Sequence, residues 1–217
     1  MVLFKYLESC YLNQFKEKGR VHLLSLYKCR VIEKASIQDK FEGHTKICVE
    51  PTEKAVELSS KEAGKLFSPH EFAKGITIMP KAHVLRENIV LNALIFCASS
   101  TLDGQLMKRF KCDAYYEIVD PLQFARIVFE ELRKHLPLQA YKIGKVRYAD
   151  KEIYVTNTNK REVLENISSD PWDGYFVKPQ SFSVEKEVRM VFVPTLDVDI
   201  GEYRDLDCRR LPNCCRF

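Results

Sequence analysis

From Phe182 onward the stretch SFSVEKEVRMVFVP alternates in character. Phe182, Val184, Lys186, Val188, Met190 and Phe192 take the even positions, and Ser183, Glu185, Glu187, Arg189, Val191 and Val193 the odd ones. A strand sends successive side chains to opposite faces, so the pattern predicts one mostly apolar face and one that begins with two acids and a base. Read the same way, the N-terminal part predicts strand, helix, strand. LFKY is a short strand, LESCYLNQFKEK a helix stopped by Gly19, and VHLLSLY an apolar run suited to a buried strand. A polar loop containing SIQDKFEGH (36–44) follows. Then come a strand at TKICVE, a turn at Pro51, and a modest helix, KEAGKLF, that Ser60 can cap.

IVLNALIFCASS is the best candidate for a central strand, being apolar on both faces and ending in small polar residues. AYYEIV predicts another strand. Asp120 and Pro121 then supply the cap and first-turn proline of PLQFARIVFEELRKHL, with Leu122, Ala125, Val128, Phe129 and Leu132 as its apolar stripe. GKVRYADKEIYVTN reads as a hairpin turning at Ala149-Asp150, followed by a polar helix, KREVLENI, and a turn, SSDPWDGYF. Strands and helices alternate irregularly and nothing repeats, which predicts a mixed α+β fold rather than a regular parallel βαβ array.

A length of 217 residues suits one domain, or one domain with an insertion; the reading adopted is a single α+β domain over 1–217, with the tail from about 197 as a candidate extension. A content of 46% hydrophobic and 29% charged residues is that of an ordinary globular protein. The net charge of +4 permits a local basic patch but does not by itself argue for nucleic acid or a membrane. The longest apolar run, IVLNALIFCA (89–98), is about half the roughly 20 residues a spanning helix needs. No basic region followed by an apolar stretch and a small-residue cleavage site opens the chain, so a cytoplasmic location is expected. The eight cysteines are scattered without a CxxC pair, as expected of reduced, mostly buried thiols. CRRLPNCC (208–215) is the one cluster able to crosslink or bind metal, but it has no nearby His and lacks zinc-site spacing.

Phosphate-cradling glycine loops, H-E-x-x-H, G-x-S-x-G and kinase signatures are all missing, and no Cys-His pairing is visible. The acids remain. Arg189 beside Glu185 and Glu187 would hold a carboxylate ionised and fix its rotamer, and a positioned carboxylate can stabilise an oxocarbenium-like transition state. The plain alternative is a solvated strand face with a cross-strand ion pair worth at most about 1 kcal/mol. A second acidic site is QDKFEGH, with Asp39, Glu42 and His44 in a loop after a strand, where function commonly resides and where Asp and Gly also simply form turns. Ser99, Ser100 and Thr101 can bond a ligand or cap the next segment.

Taken together, LFKY, LLS ending at Ser25, QDKFE, FCAS ending at Ser99, and VKPQSFSVEKEVR resemble a large bacterial family of unassigned function. Its chains run from an LYKY-type strand through N-D-P-F-E and C-F-S to a closing K and W-x-x-E-x-E-y-R. Lys178, Glu185, Glu187 and Arg189 match the closing motif, and KVRY (145–148) falls where the family has a strand. The match spans most of the chain. It departs in QDKFE, which lacks the Asn and Pro, in LDGQLMKRF, which lacks a Trp, and in Phe182, which replaces another Trp.

The layout is similar to the split, mostly antiparallel sheets of ADP-ribosyltransferases, an analogy of architecture and one short motif. That resemblance implies NAD as substrate in a cleft between two small sheets, in a toxin or phage-defence effector. Glu187 would bond the nicotinamide ribose and stabilise the oxocarbenium ion, and Glu185 would position or deprotonate the acceptor. Lys5 or Tyr6 would hold the adenosine-side ribose or the diphosphate, Ser25 or Ser99 would orient the other ribose, and Arg189 would support Glu187. The acceptor would be protein or nucleic acid, the latter because KRFKCDAYY (108–116) mixes bases with aromatics. No membrane partner is expected. Two other readings stand beside it: a non-catalytic nucleotide- or partner-binding sensor with the same cleft, and a metal-dependent nuclease using Asp39, Glu42, Glu185, Glu187 and Lys178.

Overall fold

The computed structural model describes residues 1–30, 42–51, 53–66, 75–167, 170–195 and 198–217. The chain begins with β1 (Leu3–Leu7), α1 (Ser9–Lys18), β2 (Arg20–Ser25), α2 (Leu26–Cys29), β3 (His44–Val49), β4 (Val56–Leu58), α3 (Ser60–Leu66) and β5 (Ile76–Ile78). It continues with β6 (Val84–Ile89), β7 (Leu94–Ser99), α4 (Gly104–Phe110), β8 (Ala114–Ile118), α5 (Pro121–Leu132), β9 (Leu138–Lys145), β10 (Arg147–Tyr148), β11 (Glu152–Val155) and α6 (Lys160–Asn166). It closes with β12 (Val177–Lys178), β13 (Glu187–Pro194), β14 (Tyr203–Asp207) and β15 (Cys215–Arg216). The fold is mixed α+β with mostly antiparallel sheets, as the irregular alternation predicts.

Where the sequence reads as one domain, the chain forms two compact units: Met1–Glu42, Leu91–Ala149 and Phe176–Phe217 make the first, and Gly43–Val90 with Asp150–Tyr175 the second. Each excludes water with an apolar cluster of its own.

In the first unit β7 is the spine. β13 pairs along its whole length on one edge, and β9 adds to β13. On the other edge β2 pairs only with Leu94 and Ile95, and β1 only with Ser99. The sheet therefore forks there. β14 extends the β2 arm, and β8 with β15 extends the β1 arm. Within the fork Phe96, Cys97 and Ala98 face neither arm's ladder, and the Lys5 ammonium donates to the Cys97 carbonyl at 2.8 Å. The C-terminal tail is no appended extension, since β14 and β15 complete both arms and Cys208, Leu211 and Cys214 are buried in the core.

Helix α1 lays Phe15 flat on Tyr116, ring centroids 4.2 Å apart. Helix α5 starts as predicted, Asp120 accepting the Gln123 N–H with Pro121 in the first turn, and buries Phe124, Ala125, Ile127, Val128 and Leu132. Leu122, placed in the predicted stripe, is instead exposed, because the buried stripe begins at Phe124, on the opposite side of the helix from Leu122.

In the second unit β11 runs parallel to β3, β6 antiparallel to it, and β4 pairs with β5. The predicted hairpin at Ala149-Asp150 does not form. β10 pairs in parallel with β12 and β11 with β3, so the chain passes from one unit to the other at that turn. IVLNALIFCASS likewise divides: β6 ends at Ile89 and β7 starts at Leu94. The cap of α3 is Ser59, not Ser60. Ser59 N–H donates to the Glu62 carboxylate at 2.7 Å and Glu62 N–H to Ser59 Oγ at 3.3 Å, a reciprocal capping box. None of the described helices is long and apolar enough to cross a membrane.

Gly19 ends α1 as the sequence predicts, with φ of +68° and its N–H on the Phe15 carbonyl at 2.7 Å. A β-carbon there would stand 1.8 Å from the Cys208 carbonyl oxygen. Gly19→Ala is therefore expected to destabilise the protein by about 2 kcal/mol or more, read as a lowered urea midpoint at unchanged slope.

Candidate functional site

The strand predicted from Ser181 starts only at Glu187. Residues Gln180–Glu185 coil into a 3₁₀ turn, and Lys186 takes a left-handed backbone with φ of +47°. Glu185 and Glu187 are thus not neighbours on one strand face, as alternation predicts. The left-handed residue folds the chain back and brings both acids to the same ammonium: Lys178 Nζ donates to Glu185 Oε2 and to Glu187 Oε2, each at 2.8 Å.

The rest of β13 keeps the predicted parity. Val188, Met190 and Phe192 enter the core, and Glu187 and Arg189 face the other way, opposite Ser99 and Cys97 of β7. That second face is buried too. Arg189 Nε donates to Glu187 Oε1 at 2.5 Å, and its two terminal nitrogens clasp Glu42 at 2.6 and 3.0 Å. Arg30 Nε donates to the Glu42 carbonyl at 2.7 Å, and the Tyr148 hydroxyl accepts the Glu187 N–H at 2.8 Å. Glu42, Lys178, Glu185, Glu187 and Arg189 are each no more than 6% exposed. Charges so far from water persist only when paired, and with Arg109 the cluster has three carboxylates and three cations.

The two acids are nevertheless unlike. Burial works against ionised Glu187, but Arg189 and Lys178 overcome it and hold the carboxyl far below the usual range. Burial also dominates at Glu185, and there it wins, pushing the carboxyl above its ordinary value despite Lys178 and Arg109. Glu185 Oε1 accepts no hydrogen bond among the described residues, and Arg109 Nη2 approaches it only to 3.5 Å. Burial disfavours the Lys178 ammonium, yet Glu187 and Glu185 raise it above the usual lysine value. Two adjacent carboxyl groups displaced in opposite directions are the arrangement from which acid and base roles are built.

Glu187's displacement makes stability depend on pH with a definite sign. Its folded-state value is depressed, so its contribution is fully present above the unfolded value of about 4.3 and is lost as pH falls toward the folded value. Glu187→Gln is expected to flatten the acid side of a plot of Tm against pH below about pH 4.

Glu185, Glu187, Arg189, Lys178 and Glu42 line a cavity of about 270 Å³ together with Lys5, Tyr6, Ser99 and Phe110. A second cavity of about 640 Å³ opens in the fork of the sheet, with Tyr11, His22, Phe96, Tyr116 and Tyr203 among its walls. Lys5, Leu24, Cys29 and Cys97 line both. The smaller cavity falls just under the roughly 300–1,000 Å³ of ligand sites and the larger lies within it. Burial pushes the Cys29 thiol up to about 12, and Cys97 also lies well above its ordinary value, so neither is a ready thiolate nucleophile.

Of the residues singled out in the sequence, Glu185, Glu187, Arg189, Lys5, Tyr6 and Ser99 converge here. The Tyr6 hydroxyl donates to the Thr101 carbonyl at 2.8 Å and accepts the Asp103 N–H at 2.7 Å, and Ser99 Oγ donates to the Glu185 carbonyl at 2.9 Å. Ser25 is not brought in; its side chain caps α2 by accepting the Lys28 N–H at 3.1 Å. Asp39 lies outside the described residues. Among the described residues no group of three or more His, Cys, Asp or Glu is placed to hold a metal ion, because Lys178 and Arg189 fill the spaces between the acids. Arg109 and Tyr148 belong to the site without any local signal, one inside a helix and the other in a two-residue strand. Their part is set by contacts between distant segments.

The first unit is thus a forked antiparallel sheet with a buried, ion-paired pocket beside the fork. Compared with known proteins, the chain matches no protein-family model, no curated sequence and no solved structure.

Proposed function

We propose that this pocket binds a nucleotide of the NAD type and breaks its N-glycosidic bond, passing the ribosyl group to water or to an acceptor. NAD consumption of this kind suits a toxin or phage-defence effector. The observation that carries the reading is the pair of buried carboxyl groups with opposite displacements, one of them keeping an oxygen without a hydrogen bond beside the cavity. Glu185 is the base that takes a proton from the attacking hydroxyl. Glu187 is an anion held in place by Lys178 and Arg189, and the second lone pair on each of its oxygens can face the oxocarbenium carbon and the ribose hydroxyl. These roles favour Glu185 over Glu187 as the proton-transferring group. A dinucleotide would reach from the smaller cavity past Lys5 and Cys97 into the larger one, in a layout similar to that of ADP-ribosyltransferases.

A second reading, a nucleotide-binding sensor without turnover, is favoured by the closure of the Glu42–Arg189–Glu187 pairing and by the modest 270 Å³ cavity. Incubation with NAD and chromatography for nicotinamide separates the two. Release that depends on Glu185 is expected. A rise in Tm with ADP-ribose and no release would instead establish the sensor.

A further inference from the structure

Three lysines stand within two residues, along the chain, of side chains that line the Glu185 pocket. Lys108 and Lys111 lie on either side of Phe110, which lines the cavity, and Lys186 directly follows Glu185. All three are exposed, and none pairs with a carboxylate among the described residues. The nearby acids are engaged elsewhere. Asp103 accepts the Gln105 N–H at 2.7 Å to cap α4, and Asp113 takes the Ser9 N–H and hydroxyl at 2.7 and 2.9 Å. Lys111 and Lys186 both hold left-handed backbone, φ of +56° and +47°. Lysine gains nothing intrinsically from that conformation, so the surrounding fold imposes these two orientations.

Aromatic surface adjoins the charge. Tyr115 is paired with Tyr6 across β8 and β1, is 36% exposed, and meets Phe4 edge-on at 6.4 Å; Phe4 and Tyr6 both line the pocket. Glu117 shares this face but stands at the end of β8 away from Lys111. Free cations beside an exposed ring are the two components of a single-strand nucleic-acid surface, the cations tracking phosphates and the ring stacking a base.

We propose that single-stranded nucleic acid docks across Lys108, Lys111, Lys186 and Tyr115 and presents a nucleotide to the Glu185 pocket as the acceptor. This rests on the reading of that pocket as a glycosyl-transfer site, but its binding step is measurable without NAD. The probe is a fluorescein-labelled oligonucleotide of about 12 nucleotides, as RNA and as DNA, followed by anisotropy over a KCl series. Three phosphate contacts predict that log K falls against log salt with a slope of about −2. Lys108→Gln/Lys111→Asn/Lys186→Asn, with Asn chosen because it tolerates left-handed backbone, is expected to weaken binding at least about tenfold and flatten the slope while leaving Tm unchanged. Tyr115→Ala is expected to cost roughly another tenfold without altering the slope.

Failure of the intact chain to bind either single strand overturns the proposal. So does undiminished binding by the folded triple variant, or capture of a duplex or of phosphatidylserine vesicles with no capture of single strands. Nicotinamide release without oligonucleotide binding overturns this inference and leaves the catalytic reading standing. Oligonucleotide binding with the predicted slope but no release supports this surface and removes the catalysis.

Discussion

Arg189→Met is expected to cost about 3–5 kcal/mol of folding stability, which for a chain of this size lowers Tm on the order of 10 °C. The guanidinium makes two bonds to Glu42 and one to Glu187 where all three side chains are almost wholly withdrawn from solvent. Removing it strands Glu42 in low dielectric and leaves Glu187 with Lys178 alone, and the cost is chiefly uncompensated desolvation rather than the loss of attraction. Methionine fills much the same volume, so a packing void contributes little. Adding Glu42→Gln should recover part of the loss, because the stranded charge is then gone; the pair of substitutions is expected to be strongly non-additive. Arg189→Lys should fall between, since an ammonium cannot reproduce the two-pronged clasp. Differential scanning calorimetry on the five proteins (wild type, Arg189→Met, Arg189→Lys, Glu42→Gln and the double variant) tests this, and a change below about 2 °C for Arg189→Met would show that water reaches the cluster.

Glu185→Gln should leave the fold intact while removing turnover, with nicotinamide release falling about 10²- to 10⁴-fold. Stability moves the opposite way from Glu187→Gln. The folded-state value of Glu185 is raised, so its contribution to stability is fully present below about pH 4.3 and is lost as pH rises through the folded value. Above that raised value the ionised side chain is a burden to the fold, and the neutral amide relieves it; Tm there is expected to hold or rise. A base must be ionised to act, so kcat/KM of the intact protein should climb with pH through that same raised value, and the climb should vanish in the variant. Loss of activity together with loss of the fold would mean that Glu185 is a structural partner of Lys178 and nothing more.

The local patterns of the chain are legible as elements. Gly19 ends α1 because only a residue without a β-carbon fits there, Asp120 and Pro121 start α5, and apolar residues on both faces of LIFCAS mark β7 as a central strand. Glu185, Glu187 and Arg189 are legible as an acid-acid-base run, but alternation assigns Glu185 and Glu187 to one strand face, which they do not share.

What the sequence by itself determined is the opening strand–helix–strand run, α5, the mixed α+β class and the apolar half of β13, all of which follow from side chains a few residues apart. Only the tertiary structure decided the fork of the sheet, the division into two units at Ala149-Asp150, and the contrast between two neighbouring acids. The reason is physical. A carboxyl's ionisation depends on what lies within a few ångströms of it; Arg109 reaches Glu185, and Glu42 clasps the Arg189 that holds Glu187, from segments whose separation along the chain carries no local signal.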